Sequence, residues 1–261
     1  MLSARMESGR KDGRTKARTA SLWPVGEVLN RLAPLYGPAR SPRIYDGISE
    51  LVYTVLSQNT ADTNSIPAYQ RLVATFTSWD LMADAPAEAV IEAIRQGGLA
   101  RIKGPRIQAI LREVRSRRGN FDLSFLAGMP LADAKAWLRS LPGVGPKTVG
   151  CVLLFALGMP ALPVDTHVYR VAQRLGFIGP KVSPDQSHDL LEGMLEPDQV
   201  LPFHMYLINH GRKTCKAPRP LCGSCALEQR CPSSVVKVAD PPVVAEARSA
   251  SGLSMSPGTR V

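Results

Sequence analysis

Leu141-Pro-Gly-Val-Gly-Pro-Lys-Thr148 joins two apolar helical segments, and it is the stretch of sequence that decides the fold. The pattern predicts that one helix ends at Leu141, that Gly143 and Gly145 form a tight hairpin, and that Pro146 starts the next helix. Two such glycines let a phosphate approach the backbone, and the free N–H groups of the new helix then face that anion. An ordinary turn between helices has the same composition, so the hairpin alone does not establish a DNA site.

Two charged residues near this hairpin are the candidate catalytic pair. Lys147 lies in the first turn of the new helix, where both the helix N-terminus and burial disfavour a positive charge. We therefore expect a neutral, nucleophilic amine. Asp165, in the stretch Leu162-Pro-Val-Asp-Thr-His-Val-Tyr-Arg170, precedes an amphipathic helix as its N-cap residue. One helix and one turn separate the two residues, so the carboxylate is expected to return beside the amine.

Apolar residues recur with helical spacing along most of the chain, and no segment shows the strict alternation of a strand. The chain is therefore predicted to be all-α, with short connections rich in Gly and Pro. The predicted helices are Leu22–Tyr36, Ile44–Ser57, Ala68–Phe76, Pro86–Gln96, Pro105–Arg118, Leu131–Leu141, Pro146–Leu157, Val164–Leu175, Pro184–Leu195, Pro202–Gly211 and a shorter one at Cys222–Arg230.

Composition and charge indicate a globular protein with a polyanionic partner. Hydrophobic residues make up 44% of the 261 residues, and the formal net charge is +10. Basic residues cluster at 1–20, 101–118 and 212–219, and we expect these clusters to line a groove that binds phosphates, unless they are merely solvated faces. Residues 1–20 are predicted to be a disordered arm and residues 233–261 a flexible tail. No signal peptide or membrane span is predicted, so we expect a cytoplasmic protein without a membrane partner.

Four cysteines lie within one short segment: Cys215, Cys222, Cys225 and Cys231. In a reducing compartment, clustered cysteines bind metal more often than they form disulfides. Four thiolates suit either a [4Fe–4S] cluster or a structural zinc ion. A zinc ribbon more often has two Cys-x2-Cys pairs, whereas this segment has one, so the cluster is favoured.

LPGVGPKT followed by VDTHVYRV resembles the helix–hairpin–helix DNA glycosylases, most closely the endonuclease III family, and the resemblance covers about Leu22 to Pro232. It implies two helical lobes that flank a DNA-binding cleft. Residues 40–158 would form a six-helix lobe that contains the hairpin, and residues 21–39 and 159–232 would form an iron–sulfur cluster lobe. Lys147 would then attack C1′ of a damaged nucleotide with the assistance of Asp165. A Schiff base would form, the base would leave, and β-elimination would nick the strand.

The same resemblance implies a monomeric enzyme that removes oxidised pyrimidines from duplex DNA, acts at abasic sites, carries a [4Fe–4S] cluster and associates with the nucleoid through DNA. The damaged nucleotide would be flipped out of the duplex, and protein side chains would fill the gap. The residues implied to contact DNA are Gln58, Asn59, Leu99, Gly143, Gly145, Lys216 and Arg219, with His167 as structural support for the site.

Two features depart from the endonuclease III pattern. Pro146 replaces a residue that is usually basic, and Leu-Ser-Gln-Asn-Thr60 replaces the usual Ser-Ala-Gln pattern. The second departure leaves the preferred damaged base undetermined. A mismatch-directed glycosylase is one alternative; adenine-removing relatives have serine where Lys147 lies and glutamate where Thr54 lies. A non-catalytic DNA-binding module is the other, but it would not need to retain both Lys147 and Asp165.

Overall fold

The computed structural model describes residues 23–41 and 45–236, and within these ranges it contains helices and loops but no β-strand. The prediction of an all-α chain is confirmed. The α-helices are α1 (Val25–Tyr36), α2 (Gly47–Ser57), α3 (Asp62–Thr75), α4 (Trp79–Asp84), α5 (Ala87–Ala93), α6 (Ala100–Arg118), α7 (Leu131–Arg139), α8 (Pro146–Cys151), α9 (Thr166–Leu175), α10 (Pro184–Glu192) and α11 (Val200–Lys213).

The described residues pack around two hydrophobic cores. The first is built from α2 to α8, and the second from α1, α9, α10 and α11. Helix α8 continues directly into a π-helical turn, Val152–Ala156. Val152 and Leu153 enter the first core, whereas Leu154 enters the second. The chain that follows the hairpin therefore packs into both cores, and any group on α8 lies close to their junction.

The beginning of the described chain anchors its end. Helix α1 packs against α11, which in turn packs against α9. Trp23 is buried, and its indole Nε1 donates a hydrogen bond of 3.3 Å to the carbonyl oxygen of Leu227. The guanidinium groups of Arg31 and Arg230 lie 4.7 and 5.1 Å from the centre of the Trp23 ring. Trp23 thereby fastens the cysteine-containing loop to the second core.

Several predicted helices differ from the observed ones. Helix α3 begins at Asp62, six residues before the predicted start, and α4 was not predicted, although Ser78 caps it by accepting from Leu81 N at 3.2 Å. The predicted helix at Cys222–Arg230 consists of two 3-10 turns, Cys222–Ser224 and Glu228–Arg230. A continuous α-helix, at 3.6 residues per turn, would place Cys231 on the side opposite Cys222. The observed turns allow both thiols to face one pocket.

The basic segment 101–118 is not a uniform phosphate-binding face, because several of its basic side chains are buried or bound within the protein. Helix α6 buries Lys103, which is only 2% exposed. Arg112 Nε donates to the carbonyl oxygen of Ala83 at 2.8 Å, and Arg115 forms an ion pair of 2.6 Å with Asp84. Because α4 binds Arg112 and Arg115 and Lys103 is buried, charge counted along the sequence overstates the charge available to DNA.

No helix in the described ranges is long and apolar enough to cross a membrane. The predicted basic arm, residues 1–20, lies outside the described residues, as does the predicted tail from residue 237 onward. The tail's first residues, 233–236, form an irregular segment after the last 3-10 turn.

Candidate active site

The hairpin between α7 and α8 forms as predicted. Gly143 has a φ of 71°, in the left-handed region that favours glycine. A Cβ atom there would lie 2.6 Å from Arg106 Nε, so the position also lacks space for a side chain. Gly145 precedes α8, and Pro146 occupies its first turn. The hairpin backbone therefore lies directly over an arginine from α6 and ends in a helix N-terminus.

Lys147 lies at this helix start, partly buried, with Cys151 one turn further along the same face. Burial opposes the charge on the amine, but its hydrogen bond and charge interaction with Cys151, together with Asp165 and Glu50, outweigh burial and raise the pKa of Lys147 above its ordinary value. The expectation of a depressed pKa is therefore wrong, because sequence reasoning counted the burial and the helix N-terminus but not the neighbouring acidic groups. Lys147 must lose a proton before it can act as a nucleophile.

Asp165 caps α9, and its Oδ1 accepts hydrogen bonds of 2.8 Å from both His167 N and Val168 N. Both bonds use the same carboxylate oxygen, so Oδ2 takes no part in the cap. The N-cap prediction is confirmed, and the charge of Asp165 is among those that raise the pKa of Lys147. The cap therefore uses one of the two carboxylate oxygens.

Pro163 is held on two sides, and this places Asp165 beside α8. A Cβ atom on Gly150 would lie 2.7 Å from Pro163 N, so the glycine allows the two backbones to touch. On the other side, His204 Nδ1 donates to the carbonyl oxygen of Pro163 at 2.7 Å. Burial is the main cause that lowers the pKa of His204 to about 4. The positive charges of Lys147 and Arg212 lower this pKa further, whereas the negative charge of Asp165 raises it. His204 is therefore a neutral donor at physiological pH.

Glu50 is an acidic residue of the site that sequence reasoning missed. It is 1% exposed in α2, where its Oε1 accepts a hydrogen bond of 3.0 Å from Thr54 Oγ1. Its charge is one of those that favour the protonated form of Lys147. The sequence contained a pattern that could have identified Glu50, because it is an isolated acid in the apolar segment 48–56 with the hydroxyl group of Thr54 one helical turn away.

His167 occupies a structural position beside the site. Its Nδ1 lies 3.2 Å from Arg170 Nη2, and a Cβ atom on Gly211 would lie 2.9 Å from the Cβ of His167. Arg170 Nη2 also donates to the carbonyl oxygen of Gly211 at 2.9 Å. These contacts join α9 to α11.

The two loops implied to fill the gap in DNA both present exposed side chains. Asn59 and Leu99 have φ values of 52° and 53°, and Leu99 is 52% exposed. Gln58 is turned inward: its Nε2 donates to Thr148 Oγ1 at 3.2 Å, and its Oε1 accepts from Arg106 at 3.2 Å. Gln58 therefore links the first loop to the helix that carries Lys147, while Asn59 is exposed at the loop tip.

The four cysteines line one pocket, together with His210, Arg174 and residues of the C-terminal loop. N–H groups point at the sulfurs: Arg174 Nη1 donates to Cys215 Sγ at 3.4 Å, and Leu227 N donates to Cys225 Sγ at 3.4 Å. Burial, with a smaller contribution from the other cysteines, raises the pKa of Cys225 to about 11, so a bound metal would have to displace the thiol protons. The donor set fits a centre with four thiolate ligands.

Arg170 and Arg174 hold this loop against α9, a role that the sequence pattern did not indicate. Arg170 Nε donates to the carbonyl oxygen of Cys215 at 3.2 Å, and Arg174 Nη1 donates to that of Lys216 at 2.7 Å. The side chains of Lys216 and Arg219 remain exposed on the outer side of the loop.

Comparison with known proteins places this arrangement in a family. Residues 52–197 match the HhH-GPD superfamily of base excision DNA repair proteins. Endonuclease III of Thermotoga maritima is 33% identical over 192 residues, which cover 74% of this chain and 85% of that protein. A candidate DNA glycosylase of Arabidopsis thaliana is 35% identical over 191 residues, which cover 73% of this chain and 62% of the plant protein.

A solved structure agrees with these sequence matches. The structure of a trapped endonuclease III–DNA covalent intermediate superimposes with a TM-score of 0.70 at 29% identity, and the match covers 80% of this chain and 94% of that one. The chain therefore belongs to the HhH-GPD superfamily of base excision DNA repair proteins, and within it to the endonuclease III family of DNA glycosylase and AP lyase enzymes.

Proposed function

We propose that this enzyme removes oxidised pyrimidines from duplex DNA and cleaves the resulting abasic site, with Lys147 as the nucleophile. The observation that carries the proposal is the position of the Lys147 amine. It lies at a helix N-terminus, directly after a phosphate-binding type of hairpin and within the electrostatic reach of Asp165. A lysine that is held among acidic groups at the junction of two cores has the surroundings of a catalytic residue rather than of a solvated surface residue.

The reaction begins with removal of the Lys147 proton, because its neighbours raise the pKa of the amine. Asp165 Oδ2 is the acceptor. The free electron pair of Nζ then attacks C1′, and the bond between C1′ and the base breaks. The base leaves with that bond's electron pair and takes the proton that Asp165 had accepted. Opening of the sugar ring gives a Schiff base between Nζ and C1′. Loss of a proton from C2′ expels the 3′ phosphate and nicks the strand.

Phosphate contacts come from the hairpin and from the cysteine loop. Gly143 and Gly145 expose backbone at the start of α8, and Lys216 and Arg219 are exposed on the loop that α9 supports. Asn59 and Leu99 fill the space left by the flipped nucleotide. This binding surface combines residues from the parts of the chain that pack around each of the two cores. We therefore propose that DNA lies along the cleft between the two lobes.

The cysteine pocket fits a [4Fe–4S] cluster better than a zinc ion. All four cysteines line one pocket, and their segment contains a single Cys-x2-Cys pair. A zinc ion needs four ligands that meet at one point, whereas a cluster holds its four thiolates apart around a cavity. When bound, the cluster supplies a rigid charged centre for the loop that carries Lys216 and Arg219. Iron and sulfide in the purified protein support this assignment; zinc in a colourless protein contradicts it.

Borohydride trapping tests the proposed chemistry. Duplexes that carry thymine glycol, an abasic site or a G·T mismatch are incubated with the wild-type protein, Lys147→Ala and the surface control Lys181→Ala. We expect a covalent adduct on the thymine glycol and abasic substrates with the wild type and the control, and none with Lys147→Ala. An adduct that persists in Lys147→Ala excludes this lysine as the nucleophile. Excision from the G·T mismatch alone supports the mismatch-directed alternative.

A further inference from the structure

Lys103 is a buried cation outside the catalytic pair. It lies in the first turns of α6 and is 2% exposed. Its Nζ donates three hydrogen bonds, to the carbonyl oxygen of Leu56 at 2.6 Å, to Thr60 Oγ1 at 2.7 Å and to the carbonyl oxygen of Gly97 at 2.9 Å. An ammonium group has three N–H donors, so each of them has a partner.

The three acceptors belong to the two loops that carry the gap-filling side chains. Leu56 and Thr60 flank the first loop, which contains Asn59, and Gly97 directly precedes the second, which contains Leu99. Thr60 Oγ1 also donates to the carbonyl oxygen of Gly97 at 2.7 Å. One amine and one hydroxyl therefore tie the two loops to each other, and not only to the core.

Both loop tips have strained backbones. Asn59 and Leu99 are the non-glycine residues with positive φ in the described part of the chain, at 52° and 53°. A side chain such as leucine seldom adopts this conformation, which persists only when surrounding contacts enforce it. The side chains at the two tips are exposed, so packing around them does not supply those contacts. The contacts that enforce these conformations are the hydrogen bonds of Lys103 and Thr60 beneath the tips.

Core stability does not explain a charge at this position. Burial of an ammonium group is unfavourable, and an apolar side chain of similar length would fill the same space without that cost. The amine can fix the backbone of the two loops by donating hydrogen bonds to them, which an apolar side chain cannot do.

We propose that Lys103 is a positioning residue for base extrusion: it holds Asn59 and Leu99 at a set separation, so that both side chains enter the duplex together as the damaged nucleotide leaves it. This inference rests on the proposed function, because it concerns the step before the Lys147 chemistry. It predicts that loss of the Lys103 amine impairs extrusion from paired DNA and spares attack on a nucleotide that is already unpaired.

The test compares Lys103→Met with Lys135→Met, a matched control that removes a half-buried lysine paired with Glu192, away from both loops. Two single-turnover rates are measured: excision of thymine glycol from a duplex, and borohydride trapping on an abasic site in single-stranded DNA. We expect Lys103→Met to lower the first rate at least about tenfold and to leave the second within about twofold, since a small misplacement of positioning groups costs up to about a hundredfold. Lys135→Met should leave both rates near those of the wild type. Equal losses of both rates in folded Lys103→Met, or no loss of either, overturn the proposal.

A binding measurement keeps the inference separate from the proposed chemistry. The fluorescence of 2-aminopurine placed opposite a stable tetrahydrofuran abasic analogue reports insertion of the two tips and needs no catalysis. The wild type should change this fluorescence, and Lys103→Met should lose most of the change at saturating protein. If Lys103→Met gives the same fluorescence change as the wild type, the role of Lys103 is refuted. This outcome holds even if the protein forms no covalent adduct, because the measurement needs no catalysis. Thr60→Val, which removes the bridging hydroxyl at a partly exposed position, should give the same pattern if Lys103→Met fails to fold.

Discussion

Gly150→Ala separates the stability of α8 from the geometry of the catalytic pair. Gly150 lies between Lys147 and Cys151 in α8, where alanine is intrinsically favoured over glycine by about 1 kcal/mol. A Cβ atom would, however, lie 2.7 Å from Pro163 N and 2.8 Å from Pro163 Cα. Both neighbours are backbone atoms, so they cannot move aside by a change of rotamer. The segment that carries Asp165 must therefore shift away from α8.

The size of the effect follows from these distances. Optimal contacts between non-bonded heavy atoms are about 3.5–4.0 Å, so the two backbones must separate by roughly 1 Å. Overpacking of this kind costs about 1–3 kcal/mol, which the helix propensity of alanine partly offsets. The net loss in the free energy of unfolding is therefore about 0–2 kcal/mol. A displacement of about 1 Å between reacting groups, in contrast, lowers a catalysed rate by about a hundredfold.

The assay is borohydride trapping on abasic-site DNA, combined with chemical denaturation. Gly26→Ala in α1 is the matched control, because a Cβ atom at Gly26 would have no neighbour within 4 Å. We expect the control to retain wild-type trapping and to be as stable as the wild type or slightly more so. Gly150→Ala should remain folded and lose about two orders of magnitude in trapping rate. Wild-type trapping by Gly150→Ala would refute the claim that this close contact sets the distance between Lys147 and Asp165.

Four further outcomes are expected. Asp165→Asn keeps an N-cap side chain, so the free energy of unfolding should change by less than about 1 kcal/mol while trapping falls at least about a hundredfold; wild-type trapping would exclude a catalytic role for the carboxylate. Cys151→Ala should lower the pKa of Lys147 and move the pH profile of trapping toward lower pH, since Cys151 helps to raise that pKa; an unmoved profile contradicts this. Burial lowers the pKa of Lys103 from 10.5 to about 8, so the unfolded chain binds more protons between these values. The stability of the wild type relative to Lys103→Met, measured by denaturation, should accordingly rise with pH across that window, by up to about 3 kcal/mol, and a constant difference would contradict the shift. Lys216→Ala should reduce the slope of log affinity against log salt by about 0.9, and an unchanged slope would remove this residue from the phosphate contacts.

The cysteine loop shows how far local patterns reach. Four thiols in one short segment predict a metal centre, and the structure brings them to one pocket. The predicted helix at 222–230 is wrong, because helical propensity was read without the requirement that the thiols share a direction. The arginines of α9 that hold the loop were not recognised, since their acceptors are backbone carbonyl groups more than forty residues away in sequence.

The sequence by itself determined the all-α class, the hairpin at Gly143 and Gly145 and the N-cap at Asp165. Each of these depends on interactions between residues a few positions apart, so residue type and spacing are sufficient to predict them. Only the tertiary structure decided the charge state of Lys147. Its pKa depends on Glu50 in α2 and Asp165 before α9 as well as on Cys151 in its own helix. The packing of α2 against α8 brings Glu50 to it, and the contact of Gly150 with Pro163 brings the segment that carries Asp165. The environment of Lys103 was likewise decided by the tertiary structure, because the first loop supplies two of its three hydrogen-bond acceptors, Leu56 O and Thr60 Oγ1. Electrostatic and packing energies depend on distance in space, which spacing along the chain does not specify.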